Sequence, residues 1–331
     1  MRKAVDDPLS LEDKLLNKIM TYYSSIWRDR REDKIHEKWL DNFPRPNDES
    51  EPDERLNALF LLSKFMYFGN LEMRELLKCV FRDLFKYNII SNIRKANGDI
   101  LDLDFLHDSF RKELVETRFL GVGNPSESGV HLLYYFRQEN ALTKKLFLNA
   151  YEIFRRDIIV EKDIHDYETR RLDFALSDPK IRRYVFIDDF CGSGSQATIY
   201  SREIVDKIKE LDPEIEVHYL MLFGTEIGVD HIKRNTSFDN VQAVFTLDDS
   251  FKCFSKNSRF FQRPQEGINK ELCEEICYKY GSVIEPSMPM GYRDGQLLLG
   301  LFHNTPDNTL PIIWSDSPSW TPIFKRYHKI Y

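Results

Sequence analysis

The amino-acid sequence predicts an α/β fold: a parallel sheet flanked by helices, with a helical region on its N-terminal side. Short apolar runs that do not alternate with polar residues carry this prediction: Tyr184–Ile187, Glu216–Phe223 and Val241–Phe245. Helical patterns separate these runs, at Gln196–Leu211 and Ile227–Arg234. Apolar strands that alternate with helices are typical of a parallel sheet buried on both faces.

The first third of the chain has the spacing of amphipathic helices. Ser10 can cap a helix, and apolar residues then recur at three- and four-residue intervals as far as Thr117. From Arg118 the chain becomes richer in apolar runs and Gly/Ser loops. We therefore predict a helical N-terminal region over residues 1–117 and an α/β domain over residues 118–331. Within that domain, His131–Arg156 also has helical spacing.

Composition narrows the class of protein. With 42% hydrophobic and 31% charged residues among 331, the chain has the make-up of a globular protein. Its net charge of −7 argues against a surface that tracks nucleic acid throughout, although a local basic patch is compatible with it. No stretch approaches the roughly 18 apolar residues of a membrane span, and no secretory signal is evident. We expect a cytoplasmic protein without a membrane partner.

The five cysteines are odd in number and scattered, which does not suggest a disulfide framework. Cys273 and Cys277 would share one face of a helix, but no second Cys or His pair lies nearby at ligand spacing. We therefore expect buried thiols and no structural zinc.

The densest group of functional side chains lies in the segment Val185–Gln196, VFIDDFCGSGSQ. In a parallel sheet, ligands bind where strands end and helices begin. Asp188 and Asp189 end the strand, and ionised carboxylates accept hydrogen bonds from a sugar diol. The following loop offers backbone N–H groups, hydroxyls and a helix N-terminus to an anion, through Gly192, Ser193, Gly194, Ser195 and Gln196. The segment therefore predicts a site for ribose and phosphate.

A purely structural interpretation of this segment also exists. A Gly/Ser turn can simply close a strand–helix connection, with an aspartate capping the helix, and for a lone glycine-rich loop this is the better interpretation. Two adjacent carboxylates, two glycines and two serines within eight residues favour the ligand site.

The segment resembles the phosphoribosyl-diphosphate signature of type I phosphoribosyltransferases, in which two acids follow an apolar strand and precede a Thr/Gly-rich loop. The resemblance implies that Asp188 and Asp189 are the catalytic pair that contacts the ribose hydroxyls, while residues 192–195 hold the 5′-phosphate. Mg²⁺ would lie between substrate oxygens and these carboxylates. Gly192 stands where the family usually has threonine, and Gln196 where another hydroxyl is usual. Two donors to phosphate are therefore missing, which puts turnover in doubt more than binding.

A second resemblance is to S-adenosylmethionine-dependent DNA methyltransferases, whose first motif is similar to residues 189–195. In that interpretation Glu226, near the end of the next strand, would hold the cofactor ribose. Amino-directed members grip a flipped base with a Pro-Pro-aromatic motif, and this chain has no Pro-Pro dipeptide. The methyltransferase is therefore the alternative interpretation.

Three segments together resemble the phosphoribosyltransferase-like effector proteins of bacterial conflict and anti-phage systems. They are Phe119–Asn140, the DDFCGSGSQ loop and Gly295–Trp314. This resemblance implies a phosphoribosyltransferase-type core that binds phosphoribosyl diphosphate or a nucleotide. It also implies a partner, either a reverse transcriptase or a sensor protein of a defence operon.

Two of these segments add candidate binding residues. In type I phosphoribosyltransferases a loop placed like GNPSESG holds pyrophosphate, which makes Asn124, Ser126 and Ser128 candidate donors. Ser126 or Ser128 can equally do no more than cap the following helix. His303 and Asn304 follow a strand and are candidates for ligand contact, although Asn, Thr and Pro commonly hydrogen-bond the backbone of their own turns.

The sequence does not specify which reaction the protein performs. A phosphoribosyl transfer must neutralise the leaving pyrophosphate, and no basic loop is recognisable as the group that does so. We expect the arginines near the strands to be surface charges: Arg118, Arg137, Arg182 and Arg183. Three functions remain: a transferase, a glycosidic cleavage that depletes a nucleotide, and non-catalytic sensing of a nucleotide or nucleic-acid end.

Overall fold

The structure, a computed structural model, describes residues 9–28, 35–48, 51–123, 128–162, 168–263 and 265–327. Its α-helices are α1 (Leu11–Ser25), α2 (Ile35–Leu40), α3 (Glu54–Leu62), α4 (Asn70–Cys79), α5 (Tyr87–Ala96), α6 (Leu103–Val115), α7 (Ser128–Glu139), α8 (Ser195–Tyr200), α9 (Asp206–Leu211), α10 (Glu226–Asn235), α11 (Lys270–Ile284) and α12 (Pro311–Trp314). Its strands are β1 (Met66–Phe68), β2 (Thr117–Gly121), β3 (Phe154–Lys162), β4 (Glu168–Leu176), β5 (Arg183–Cys191), β6 (Glu216–Thr225), β7 (Asn240–Leu247) and β8 (Leu299–Leu301). Short π-helical segments join α4 to α5 and α8 to α9.

Packing divides the chain into two compact units. The first contains Met1–Met73 and Leu247–Tyr331, and the second contains Arg74–Thr246. In the first unit β1 pairs in parallel with β8, so that segments from both ends of the chain share one unit. This division by packing differs from the predicted division at residue 117.

The second unit has the predicted α/β class, which is confirmed. Its four-stranded sheet has the order β2–β5–β6–β7, and β5 runs parallel to both β2 and β6. β5 and β6 are almost wholly buried, because helices pack apolar side chains such as Val205 and Ile232 against Phe186 and Tyr219. The apolar runs without alternation are therefore the central strands of the sheet.

An antiparallel pair, β3 with β4, lies between α7 and β5 in the chain and was not predicted. The helical interpretation of His131–Arg156 is right only as far as Glu139, where α7 ends. Ala141 then has a φ of 51°, a left-handed conformation that a right-handed helix does not continue through. From Phe154 the chain is extended, and β-branched residues such as Ile158 favour that conformation.

The first unit is built around buried aromatic side chains from both ends of the chain. The indole N–H of Trp39 donates to the backbone oxygen of Ile312 over 2.6 Å. Phe43 packs edge-on against Trp320, with 5.3 Å between the ring centroids. These contacts join α2 to the C-terminal segment.

The cysteines carry free thiols, and all but the partly exposed Cys79 are buried. Cys273 and Cys277 lie in the core on α11, in agreement with the expectation of buried thiols. Across the described ranges, no three His, Cys, Asp or Glu side chains form a group that could hold a metal ion. Among the helices described, none combines the length and apolar character needed to cross a membrane.

Candidate functional site

The two predicted acids lie near the carboxyl end of β5, at the edge of the sheet where β2 also ends. Ile187 of β5 is level with Gly121, the last residue of β2, and Asp188 is level with Met221 of β6. Asp188 and Asp189 are both buried, at 9% and 8% exposure. The sheet therefore delivers two carboxyl groups to the position where ligands of parallel sheets bind.

Asp188 is held by two donors. Its Oδ2 accepts the hydroxyl of Tyr219 over 2.7 Å, and its Oδ1 accepts the backbone N–H of Asp189 over 2.9 Å. Burial, followed by the adjacent charge of Asp189, raises the pKa of Asp188 well above its ordinary value. A cation or a pair of hydroxyl donors at this position would stabilise the ionised form, so the geometry favours such a ligand.

The loop after β5 turns sharply at Gly194. This residue has a φ of 76° and is the N-cap of α8. The hydroxyls of Ser193 and Ser195 lie 3.0 Å apart, and the backbone N–H of Ser195 is 3.4 Å from Oγ of Ser193. Gln196 follows on α8 with an exposed side chain. Two hydroxyls and the first N–H groups of a helix are thus brought to one turn, an arrangement suited to an anion.

The start of helix α10 packs against the loop that follows β5 and holds it in place. The hydroxyl of Thr225 donates to the backbone oxygen of Gly192 and accepts the N–H of Gly228 over 3.0 Å. A Cβ placed on Gly228 would lie 2.1 Å from that same oxygen, so only glycine fits. Glu226, the residue of the methyltransferase alternative, is exposed at the start of α10. The supporting roles of Thr225 and Gly228 were not predicted, although a Thr directly before a helical pattern is a visible N-cap signal.

Cys191, the last residue of β5, has a buried thiol beside the loop. Burial, and then the charge of Asp188, raises the pKa of its thiol to about 12. This shift favours the protonated thiol at neutral pH.

The second predicted anion-binding loop is only partly described. Asn124 and Ser126 lie outside the described residues, and Ser128 is the first residue of α7. A Cβ on Gly129 would lie 2.6 Å from the backbone oxygen of Val122 and 3.1 Å from that of Ile187. The start of α7 is therefore packed directly on the ends of β2 and β5, one residue away from the buried acid pair.

His303 and Asn304 belong to the first unit, after β8. Oδ1 of Asn304 accepts the backbone N–H groups of Thr305 and Tyr327, each over 2.9 Å, and its Nδ2 donates to the oxygen of Tyr327. Asn304 thus ties the turn to the C-terminal segment. The ring of His303 lies 5.0 Å from that of Phe302. Ligand contact by these two residues stays a prediction.

The expectation that Arg183 is a surface charge is wrong. Its side chain is buried, with Nε 2.6 Å from a carboxylate oxygen of Glu216 and Nη1 3.2 Å from one of Glu113. Two acidic partners provide the charge that a buried guanidinium requires. Arg183 begins β5, whereas the acids lie near its other end, so this arginine does not belong to the site.

The fold and the loop together define an α/β protein of the phosphoribosyltransferase-like class. The model of the PRTase-CE family matches residues 36–326, and the chain belongs to this family. The resemblance to phosphoribosyltransferase-like proteins is thereby confirmed. A comparison with curated proteins finds no match.

Solved structures resemble the chain at low identity. A xanthine-guanine-hypoxanthine phosphoribosyltransferase of Helicobacter pylori is 8% identical with a TM-score of 0.27, covering 56% of this chain and 90% of that one. A hypothetical protein of Neisseria gonorrhoeae with bound ppGpp is 8% identical with a TM-score of 0.26, covering 56% and 85%. A protein of Aquifex aeolicus is 11% identical with a TM-score of 0.25, covering 64% and 85%.

Proposed function

We propose that the chain binds a ribose-phosphate ligand, phosphoribosyl diphosphate or a nucleotide, on the segment Val185–Gln196. One observation carries the proposal: the acid pair Asp188–Asp189 lies near the carboxyl end of a buried parallel strand and is followed within five residues by the left-handed turn at Gly194. Carboxylates accept from the two hydroxyls of a ribose, and the turn offers donors to the phosphate attached to the same sugar.

A diphosphate at the other end of the ribose would lie against the start of α7. That helix begins beside Ile187, adjacent to the acid pair, and a helix N-terminus favours negative charge. This proximity supports a ligand with phosphate on both sides of the ribose, such as phosphoribosyl diphosphate, over a simple mononucleotide.

Mg²⁺ is the cofactor that we propose for this site. Mg²⁺ keeps several waters and is typically held by one or two carboxylates together with substrate phosphates. Asp188 and Asp189 fit that requirement, because they supply two carboxyl groups at one strand end and the buried Asp188 lacks a cationic partner among the described residues.

Isothermal titration calorimetry with phosphoribosyl diphosphate and Mg²⁺ tests the binding. The double variant Asp188→Asn, Asp189→Asn keeps the shape of both side chains and removes their charge. Each charge-assisted hydrogen bond is worth about 1.5–3 kcal/mol, so we expect at least about 100-fold weaker binding. Glu226→Gln is the matched control and should bind normally, since only the methyltransferase alternative places that residue at the ribose. Unchanged affinity of the double variant would contradict the proposal.

A second experiment tests which reaction follows binding at this site. Phosphoribosyl diphosphate, NAD and nucleoside triphosphates are incubated with the protein and Mg²⁺, and products are followed by mass spectrometry. Pyrophosphate released from phosphoribosyl diphosphate together with a phosphoribosylated acceptor supports a transferase, and a released base supports glycosidic cleavage. Ligands that bind tightly and return intact support non-catalytic sensing instead.

We also propose a role as an effector in anti-phage defence, beside a reverse transcriptase or sensor protein. The support is membership of the PRTase-CE family together with the resemblance described above. Phage plating on bacteria that express the gene with its neighbours tests this role. Protection should be lost in the Asp188→Asn, Asp189→Asn double variant, and equal protection by that variant would count against it.

A further inference from the structure

A cavity in the first unit shares no lining residue with the ribose-phosphate site. It measures about 440 Å³, within the range of roughly 300–1,000 Å³ that small-molecule sites occupy. The walls are polar except for one aromatic ring and include no carboxylate among the described residues. We call it the Phe261 cleft, after a lining that includes Lys256, Asn257, Ser258, Phe261, Gln262 and Lys270.

Both lysines of the cleft lack an acidic partner in the part of the chain that the structure describes. Lys256 is exposed, and Nζ of Lys270 donates to the backbone oxygen of Ser255 over 2.6 Å. A nearby lysine behaves differently, since Nζ of Lys252 lies 2.6 Å from a carboxylate oxygen of Asp294. The chain as a whole is acidic, with a net charge of −7, and yet leaves these two charges uncompensated.

More basic side chains continue from the aromatic wall of the cleft. The ring of Phe261 lies 5.3 Å from that of Phe60, and Nζ of Lys64 lies 4.9 Å from the Phe60 ring centroid. After burial, the positive charges of Lys18 and Arg263 lower the pKa of Lys64. No ion pair to these three cations occurs within the described ranges. These cations lie in the same unit as the cleft and reach its aromatic wall through the buried ring of Phe60.

Polar side chains of the cleft are held in place. Asp249 accepts hydrogen bonds from the hydroxyl of Ser255 and from the side chain of Asn257, which hold these two lining residues in place. The buried Ser258 hydroxyl accepts the N–H of Phe260 over 3.3 Å, and its own hydrogen has no acceptor among the described residues. The Ser258 hydroxyl is therefore a donor that is already oriented, and such a donor loses little entropy when a ligand binds.

We propose that the Phe261 cleft binds a phosphate ester of a nucleotide, with the phosphate on Lys256 and Lys270 and the base against Phe261. Lysine is a common point-charge partner of phosphate, and aromatic rings stack on bases irrespective of sequence. The phosphate belongs either to a free mononucleotide or to a single-stranded nucleic acid that extends towards Lys64. This site lies outside the Asp188–Ser195 loop and shares no lining residue with it.

Fluorescence anisotropy of a short labelled oligothymidylate tests the proposal, with the full chain carrying Asp188→Asn and Asp189→Asn so that the other site contributes nothing. Lys256→Ala should weaken binding about fivefold, and adding Lys64→Ala should weaken a strand further. Lys252→Ala is the matched control and should not change binding, because Asp294 already neutralises that charge. AMP and inorganic phosphate serve as competitors.

The outcomes separate the sources of phosphate. Displacement of the probe by AMP assigns the cleft to mononucleotides, and a probe that AMP does not displace assigns it to nucleic-acid strands. The proposal is overturned if neither the probe nor AMP binds. It is also overturned if Lys252→Ala weakens binding of the probe as much as Lys256→Ala does. Lys256 is exposed and makes no described side-chain contact, so its replacement leaves folding intact and the comparison valid.

Discussion

Gly194 and Gly98 allow the turn at the candidate site to be tested quantitatively. Both have left-handed backbones, with φ values of 76° and 69°. A Cβ on Gly98 would meet nothing within 4 Å, whereas a Cβ on Gly194 would lie 2.9 Å from Cγ1 of Ile232 and 3.0 Å from the oxygen of Gly228. Alanine at Gly98 therefore measures the backbone cost alone, and alanine at Gly194 adds the crowding against α10.

The expected magnitudes follow from these distances. A left-handed alanine costs about 1–2 kcal/mol, of which about 0.4–1 kcal/mol is offset because alanine also restricts the unfolded chain. We expect Gly98→Ala to lower the free energy of unfolding by about 1 kcal/mol. Crowding of the added Cβ against α10 costs about 1–3 kcal/mol more, and Gly194→Ala should therefore lower the free energy of unfolding by about 2–4 kcal/mol. Gly194→Ala should also weaken ribose-phosphate binding, and Gly98→Ala should not.

Urea unfolding followed by far-ultraviolet circular dichroism is the suitable assay. Tryptophan fluorescence would report only on the first unit, because Trp27, Trp39, Trp314 and Trp320 all belong to it. Calorimetric titration of phosphoribosyl diphosphate gives the second readout. Equal losses of stability in the two variants, or normal ligand affinity in Gly194→Ala, would refute the argument that α10 holds the loop in its binding conformation.

Three further changes test other parts of the structure. Because burial raises the pKa of Asp188, ionisation opposes folding, and Asp188→Asn should raise the urea midpoint at neutral pH but not below about pH 3.8. Hydrogen bonds from His218 and Arg183 lower the pKa of Glu216 to about 2, a stabilisation present above about pH 4.5 and lost as the pH falls towards 2. Glu216→Gln should thus destabilise at pH 7, with a deficit that shrinks in acid unfolding curves. Gly129→Ala, whose Cβ would lie 2.6 Å from a backbone oxygen, should lower the free energy of unfolding by about 2 kcal/mol in urea.

The central strands and the loop were predictable because their signals are local. An uninterrupted apolar run such as that of β5 indicates from sequence alone that both faces of the strand are buried. The acids and glycines after Ile187 lie together in one short stretch of sequence. The hydrogen bond from Tyr219 to Asp188 is different, since it depends on the register between β5 and β6, which no local pattern specifies.

Long-range pairing explains most of what the sequence analysis missed. β1 and β8 have three residues each and pair across most of the chain, so neither carries a strand signal strong enough to reveal the first unit. Arg183 looks like a surface residue until Glu113 and Glu216 are placed beside it. Only the first three residues of β3 fall within the segment that has helical spacing, and the strand conformation depends on the pairing of β3 with β4.

A crystal structure with phosphoribosyl diphosphate and Mg²⁺ would test the central claim most directly. The account predicts both ribose hydroxyls within hydrogen-bond distance of the carboxylates of Asp188 and Asp189. It also predicts the 5′-phosphate on the N–H groups and hydroxyls of residues 193–195, with the diphosphate at the start of α7. A ribose bound at Glu226 instead, or a ligand that leaves the acid pair uncontacted, would contradict it.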